Sequence, residues 1–105
     1  MHFLCNISDI PENGSKGFEL ENLRLFAVQK RGEIFIYKNI CPHAQLPLEW
    51  VPDQFLDNNK ELILCSSHGA LFQIHDGLCV TGPCIGQSLE AIPFSVKNQQ
   101  IFISF

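Results

Sequence analysis

Positive charge is scarce in this sequence, and long hydrophobic runs are missing. Only seven of the 105 residues are Lys or Arg, and the formal net charge at pH 7 is −4. A chain without a basic stripe is a poor candidate for nucleic-acid binding. The apolar runs, such as 62–65, are long enough only for strands, so no membrane-spanning helix is predicted. Residues 1–5 lack the basic start and the apolar stretch of a signal peptide, and we expect a cytoplasmic protein.

Helical periodicity is also missing. No long segment repeats its apolar residues at a spacing of about 3.6, and no internal repeat or linker is visible. Short alternating segments separated by turn residues are typical of β-strands. The pattern predicts hairpins that pair 23–29 with 33–38, 72–74 with 78–80, and 94–96 with 101–105, and one helical turn at 8–12. At this length the sequence predicts one all-β domain that spans residues 1–105.

Two cysteines each stand close to a histidine. Cys41 and His43 form one pair, and Cys65 and His68 form the other. Two thiols and two imidazoles on adjacent loops are a typical set of metal ligands. Zinc sites commonly pair Cys with Cys and His with His, whereas here each pair holds one of each. That order favours a two-iron site in which the thiolates bind one iron and the imidazoles bind the other.

The residues around both pairs resemble those of small Rieske-type ferredoxins, a group that includes dioxygenase ferredoxins and nitrite reductase small subunits. Residues 41–48 read CPHAQLPL, residues 65–72 read CSSHGALF, and TGPC follows at 81–84. The resemblance extends from residue 3 to the last predicted strand, and the paired motifs are its specific part.

This resemblance implies both a fold and a cofactor. The fold is a small antiparallel β-barrel or sandwich with a cluster-binding subdomain inserted at about 41–84. The cofactor is one Rieske [2Fe–2S] cluster per chain. In such a site Cys41 and Cys65 hold the inner iron, and His43 and His68 hold the outer iron.

The resemblance further implies an electron-transfer protein rather than an enzyme. A reductase, such as a flavin reductase, would load one electron, and an oxygenase would accept it. One alternative is the small subunit of a larger reductase of the nitrite reductase type, bound stably to its large subunit. A structural Cys₂His₂ zinc module is the other alternative. No nucleic-acid or membrane partner is expected, and we expect a monomer.

The chain departs from the family at several positions. Gln45 stands where the family usually has a Gly, which permits positive φ and close backbone approach to the cluster. High-potential respiratory relatives also have a disulfide between the ligand loops and a Ser and a Tyr hydroxyl near the sulfur atoms. At the matching positions this chain has Leu46 and Ser67 in place of the disulfide, Ala70 in place of the Ser, and Phe72 in place of the Tyr. Without those groups the resemblance implies a potential near the low end of the Rieske range, roughly −150 mV.

Apolar residues near the motifs suggest how the cluster is surrounded. Pro83 is expected to shield it, and three residues of the first loop are expected to form an apolar rim: Leu46, Pro47 and Leu48. Three apolar side chains of the segment 49–60 either pack under the cluster-binding subdomain or form a docking patch: Trp50, Phe55 and Leu56.

Acidic residues and the remaining cysteines complete the sequence-based picture. Four acids flank the ligand loops and either steer a basic redox partner or simply keep the surface solvated: Glu49, Asp53, Asp57 and Glu61. Three cysteines lie outside the motifs and are interpreted as reduced packing residues, with the last of them near the cluster: Cys5, Cys79 and Cys84.

Overall fold

The computed structural model describes residues 1–42, 45–67 and 69–104. In those ranges the chain contains β-strands, one short 3₁₀-helix at Ile7–Asp9 and no α-helix, so the prediction of an all-β fold is confirmed. The strands are β1 (His2–Asn6), β2 (Gly14–Leu20), β3 (Leu23–Lys30), β4 (Glu33–Lys38), β5 (Leu62–Leu64), β6 (Leu71–Gln73), β7 (Cys79–Thr81), β8 (Phe94–Lys97) and β9 (Gln100–Ile103). No helix of the described residues is long and apolar enough to cross a membrane.

The described strands form three antiparallel sheets of three strands each. Their orders are β1-β9-β8, β2-β3-β4 and β5-β6-β7. Two-residue turns join β3 to β4 at Arg31 and Gly32, and β8 to β9 at Asn98 and Gln99. All four of these residues have positive φ, as the tight turns that match the twist of a hairpin require.

The central sheet, β2-β3-β4, positions the site because it carries a core on each face. Successive side chains of a strand point to opposite faces. Phe26 and Val28 of β3 therefore pack in the core that also contains Cys41 and Cys65. Leu25 and Ala27 pack in the second core, against β1, β8 and β9. The ligand loops thus rest on a strand that is buried on both sides.

Most differences from the predicted elements are shifts of one or two residues. The hairpin at 72–74 and 78–80 is found as β6 and β7, where the register slips between Leu71 and Phe72. The helical turn predicted at 8–12 begins earlier, at Ile7, and Asp9 accepts a hydrogen bond from the Asn6 N–H at 2.9 Å. The last strand ends at Ile103, and residue 105 lies outside the described residues.

Candidate metal centre

The two predicted ligand loops have the same backbone closure. In the first loop the N–H of Cys41 donates to the carbonyl of Leu46, and the N–H of Gln45 donates to the carbonyl of Cys41, both at 2.8 Å. In the second loop the N–H of Cys65 donates to the carbonyl of Ala70, and the N–H of Gly69 donates to the carbonyl of Cys65, both at 2.9 Å. Each cysteine therefore opens a loop that is closed by the residues four and five positions later.

Positive φ occurs at the same place in both loops. The values are 57° at Gln45 and 70° at Gly69, each four residues after its cysteine. Gln45 stands where the family usually has a Gly, the residue that adopts positive φ most readily. The loop keeps the left-handed conformation that glycine favours, and the Gln45 side chain donates to the Pro42 carbonyl at 3.2 Å. The departure from the family pattern is thus accommodated at a local conformational cost.

The loops are bonded directly to each other. The N–H of Ser66 donates to the carbonyl of Leu48 at 2.8 Å. Asn39, which is buried, accepts from the N–H of Leu48 at 2.8 Å and donates to the Glu49 carboxylate at 2.9 Å. In the sequence Asn39 is only a polar residue at the end of a strand, and nothing there indicates that it holds the loop. Asn39 fixes the exit of the first loop, and through Leu48 it also supports the second.

Cys41 and Cys65 lie in an apolar core. Both residues are fully buried, in one cluster with Leu48, Phe55 and other apolar residues. The pKa of the Cys84 thiol is raised to about 12, mainly by burial, with smaller contributions from its hydrogen bond with Cys79 and from the charges of Cys79, Cys41 and Cys65. Cys84 lies in the same buried cluster of residues as Cys41 and Cys65.

His43 and His68, the two predicted imidazole ligands, lie outside the described residues. Within the ranges 1–42, 45–67 and 69–104, no group of three or more His, Cys, Asp or Glu side chains is arranged to hold a metal. The described part of the site is therefore its thiol half, together with the two loops that carry it.

A third loop packs on the second ligand loop. Gly82 has a φ of 106°, and a Cβ at this position would lie 2.8 Å from the Ala70 Cα. The backbone at Gly82 thus approaches Ala70 more closely than any other residue type would allow. Pro83, the predicted shield, is exposed beside it. We refer to residues 80–88 as the covering loop.

The predicted apolar rim is only partly correct. Leu46 is 51% exposed and Pro47 is partly buried, as a rim requires. Leu48 is fully buried and belongs to the core, so its assignment to the rim is wrong. The reason is the Asn39 bond to its N–H, which turns the chain inward before the loop ends.

The segment 49–60 divides between the two interpretations offered by the sequence. Phe55 is fully buried and stacks on Phe26, with ring centroids 4.4 Å apart, and Leu56 is partly buried. Trp50 is 72% exposed, and its indole N–H donates to the Ser67 hydroxyl at 3.1 Å. Packing thus accounts for two of the three residues, and the third lies on the surface beside the second loop.

The acids near the loops are engaged in local bonds. The Asp57 carboxylate accepts from the N–H of Glu61 at 2.9 Å, and the Asp53 carboxylate accepts from the N–H of Gly17 at 2.8 Å. Glu61 lies 3.3 Å from the ammonium of Lys30. These contacts give the acids a role in the fold whether or not they also steer a partner.

Tyr37 is a further structural residue that sequence reasoning missed. Its hydroxyl donates to the Ile74 carbonyl at 2.6 Å and joins β4 to the turn after β6. Burial raises the pKa of this phenol to about 12, with a smaller contribution from Asp76. Cys5, in contrast, behaves as predicted: it is buried in the second core, where burial raises its thiol pKa to about 11, with Asp9 adding to the shift and Lys16 opposing it.

Two matched loops that bring thiols into one apolar core are typical of small β proteins that hold an iron–sulfur centre on cysteine ligands. The sequence matches the Rieske [2Fe-2S] domain over residues 1–99, and the chain belongs to this family. The predictions of the family and of a Rieske-type [2Fe–2S] cofactor are confirmed. The residues present fit such a cluster, because two buried thiols on adjacent loops are the donors that its inner iron requires.

Individual relatives agree with this assignment. The chain is 26% identical over 95 residues to the ferredoxin component of the naphthalene 1,2-dioxygenase system of Pseudomonas aeruginosa, which covers 90% of this chain and 86% of the relative. The ferredoxin of carbazole 1,9a-dioxygenase from Nocardioides aromaticivorans IC177 has the same fold, with a TM-score of 0.78 at 16% identity, over 99% of this chain and 98% of that chain.

A chain from a complex of reduced oxygenase and oxidised ferredoxin in carbazole 1,9a-dioxygenase also matches the structure. The TM-score is 0.76 at 17% identity, over 97% of this chain and 90% of that chain. These similarities confirm the antiparallel β architecture that the sequence predicts.

Proposed function

We propose that this protein is a one-electron carrier that takes an electron from a reductase and passes it to a ring-hydroxylating oxygenase. The observation that carries the proposal is the pair of equivalent cysteine loops, bonded to each other over one apolar core. The family assignment and the ferredoxin relatives support it. The relatives are named as ferredoxin components of dioxygenase systems, so the protein transfers electrons and carries out no substrate chemistry of its own.

The proposed ligands are Cys41 and Cys65 for one iron, and His43 and His68 for the other. The thiol half is supported by the full burial of both cysteines and by their equivalent loops. The imidazole half is supported by the position of each His in its motif, within three residues of its Cys. The family assignment speaks against the alternative of a structural zinc module.

When bound, a Rieske cluster accepts and releases one electron. The thiolates of Cys41 and Cys65 would cancel the charge of an oxidised cluster core bound there, whereas four thiolates would leave a net negative charge. An electron enters a neutral site more readily, so two imidazole ligands raise the potential above that of a four-cysteine site. Ala70 and Phe72 are buried and offer no hydroxyl to a sulfur atom. We therefore expect a potential near the low end of the Rieske range, roughly −150 mV.

The partner-facing end is proposed to be the end that carries the exposed apolar side chains of the three loops. Leu46 belongs to the first ligand loop, Trp50 is bonded to the second, and Ile85 belongs to the covering loop. All three are large apolar residues that are more than half exposed. The same end of the molecule would then offer both a short path for the electron from the cluster and an apolar surface that contacts the partner.

The test is an electron count followed by a transfer reaction. Titration of the holoprotein with dithionite should consume one electron per chain. The reduced protein is then mixed anaerobically with the oxygenase component of a naphthalene 1,2-dioxygenase system, and its reoxidation is followed by visible absorbance. Trp50→Ala should slow this transfer about tenfold or more, because exposed Trp residues often dominate contact surfaces.

Val96→Ala is the matched control. Val96 is also exposed and apolar, but it lies on β8, in the sheet β1-β9-β8, which carries neither ligand loop. This variant should transfer its electron at the rate of the unaltered protein. A titration that consumes no electron would contradict the proposed function. Equal transfer rates in the two variants, whether both slowed or both unchanged, would contradict the proposed partner-facing end.

The chain is further proposed to act as a single domain, 1–105, as a monomer in the cytoplasm. The single domain is supported by the shared core, in which Phe26 and Tyr37 of the central sheet pack with Cys41 and Cys65. The cytoplasm is supported by the chemistry of the site, because a reducing compartment keeps the five cysteines available as thiols.

A further inference from the structure

Two buried thiols outside the proposed ligand set lie against each other. The thiol of Cys84 donates to the Cys79 sulfur at 3.1 Å, and the thiol of Cys79 donates to the Thr81 carbonyl at 3.3 Å. Both residues are 2% exposed. The sequence predicts reduced packing residues at both positions and does not indicate this contact. The two sulfurs are about one ångström farther apart than in a disulfide bond of about 2.05 Å.

The backbone holds this pair in place. The N–H of Cys79 donates to the Gln87 carbonyl at 2.8 Å, and the N–H of Gln87 donates to the Cys84 carbonyl at 2.9 Å. The N–H of Gly86 donates to the Cys79 carbonyl at 3.4 Å. These bonds bring both cysteine backbones to the base of one loop, so the sulfurs can bond without a large movement of the chain.

The pair stands at the two ends of the segment that contacts the ligand loops. Gly82, between the cysteines, packs on Ala70, where a Cβ would lie 2.8 Å from the Ala70 Cα. The Ala70 carbonyl in turn accepts the N–H of Cys65 at 2.9 Å. A covalent bond between Cys79 and Cys84 would therefore restrain the loop that covers a proposed cluster ligand.

Reagents can reach the pair by a local opening. The covering loop, residues 80–88, is exposed except for Gly82, which is partly buried, and Cys84. Exposed loops of this kind open at far lower cost than global unfolding. In the closed loop both thiols are buried and out of reach of a dissolved disulfide. Opening of the loop therefore limits the rate at which the pair reacts.

We propose that Cys79 and Cys84 form a reversible dithiol–disulfide couple that ties the covering loop when a low-molecular-weight disulfide is present. The thiolate of one cysteine attacks the small disulfide, which forms a mixed disulfide and releases one small thiolate. The second cysteine then attacks the protein sulfur, which forms the Cys79–Cys84 bond and releases the second small thiolate. The two cysteines lose two electrons and two protons, and the small disulfide gains them as two thiols.

The consequence is protection of the metal centre. With the loop tied, the opening that exposes the second ligand loop becomes rarer, and a chelator removes iron more slowly. The dithiol–disulfide couple concerns only the state of two thiols, so its formation does not depend on which protein accepts the electron.

The experiment equilibrates the holoprotein anaerobically with glutathione and glutathione disulfide at a series of ratios. The free thiols are then blocked with N-ethylmaleimide, and the protein is digested by cleavage after Phe72, which separates Cys65 from the pair. At oxidising ratios, mass spectrometry should find the peptide that contains Cys79 and Cys84 without N-ethylmaleimide and two hydrogens lighter than the dithiol. At reducing ratios, both thiols of this peptide should carry N-ethylmaleimide. Blocking of both thiols at every ratio would overturn the proposal.

Two variants make the result specific. In Cys84→Ser, oxidation should stop at a mixed disulfide between glutathione and Cys79. In Cys5→Ser, which removes a buried thiol of the other core, the couple should form as in the unaltered protein. Visible absorbance in the presence of a chelator should decay several-fold more slowly in the oxidised than in the reduced protein, and Cys84→Ser should abolish that difference. Equal decay in both states of the unaltered protein would overturn the protective role.

Discussion

The two ligand loops close through the same pair of backbone hydrogen bonds, but they are supported in different ways. The first loop has Gln45 at its positive-φ position and is fixed at its exit by the buried side chain of Asn39. The second loop has Gly69 at that position and is covered by the backbone of Gly82, close to Ala70. The conformation of each loop is therefore set by its two hydrogen bonds and one positive φ. The residue type at that position sets only what the conformation costs.

The largest expected effect tests whether the two loops contribute equally to the metal centre. Cys41→Ser and Cys65→Ser each remove one thiolate, so each should lower the iron content of the purified protein more than tenfold, because the cluster and the fold stabilise each other. Cys5→Ser removes a thiol of the other core and should keep its iron. Iron retention by only one of the two ligand variants would break the equivalence of the loops.

The next effect concerns the cover of the second loop. Gly82→Ala places a Cβ 2.8 Å from the Ala70 Cα at a φ of 106°, so the backbone must shift and the holoprotein should lose about 2–4 kcal/mol of stability. Gly86→Ala is a matched control, because its φ is 91° but a Cβ there meets no described atom within 4 Å. Its cost should be about 1 kcal/mol, from the backbone alone. Denaturant unfolding followed by circular dichroism measures both, and equal costs would contradict the close packing of the cover.

A smaller effect distinguishes the side-chain supports. Asn39→Ala leaves the N–H of Leu48 without its acceptor in a buried site, which should cost about 1–3 kcal/mol. Ser67→Ala removes only the acceptor of an exposed indole N–H, which water replaces, so the cost should stay below about 0.5 kcal/mol. The measurement is the same unfolding experiment. A larger loss in Ser67→Ala than in Asn39→Ala would reverse the assignment of supports.

The smallest effects should have opposite signs. Gln45→Gly relieves a non-glycine residue at a φ of 57° and should stabilise the protein by up to about 1 kcal/mol. Gly69→Ala imposes the same strain at a φ of 70° and should destabilise it by about 1 kcal/mol. In a domain of this size that is a shift of about 4–8 °C in thermal midpoint in each direction. Shifts of the same sign would show that the positive φ is not what distinguishes the loops.

Features set by residues close together in the sequence are predicted well, whereas features set by contacts between residues farther apart are not. The β-hairpins depend on neighbours in sequence, and the sequence predicts them to within a residue or two. Leu48 was assigned to the wrong environment because an apolar residue in a loop fits a rim or a core equally well. The bond to Asn39 that decides between them joins residues nine positions apart. The contact of Cys79 with Cys84 likewise depends on loop geometry that their spacing does not specify.

The pairing of β1 with β9 shows the same limit at longer range. These strands come from the two ends of the chain and form one sheet with β8. Alternation of apolar residues predicts that such segments are strands, but it does not name their partners. The family resemblance predicts a small antiparallel barrel or sandwich but not this pairing, and the periodicity predicts only the strands.

The most direct test of the central claim is the electron paramagnetic resonance spectrum of the dithionite-reduced holoprotein, with iron and zinc counted in the same sample. Two irons per chain and a rhombic signal whose average g value lies below that of the free electron are the expected result for a cluster with two thiolate and two imidazole ligands. One zinc per chain and no signal after reduction would contradict the account.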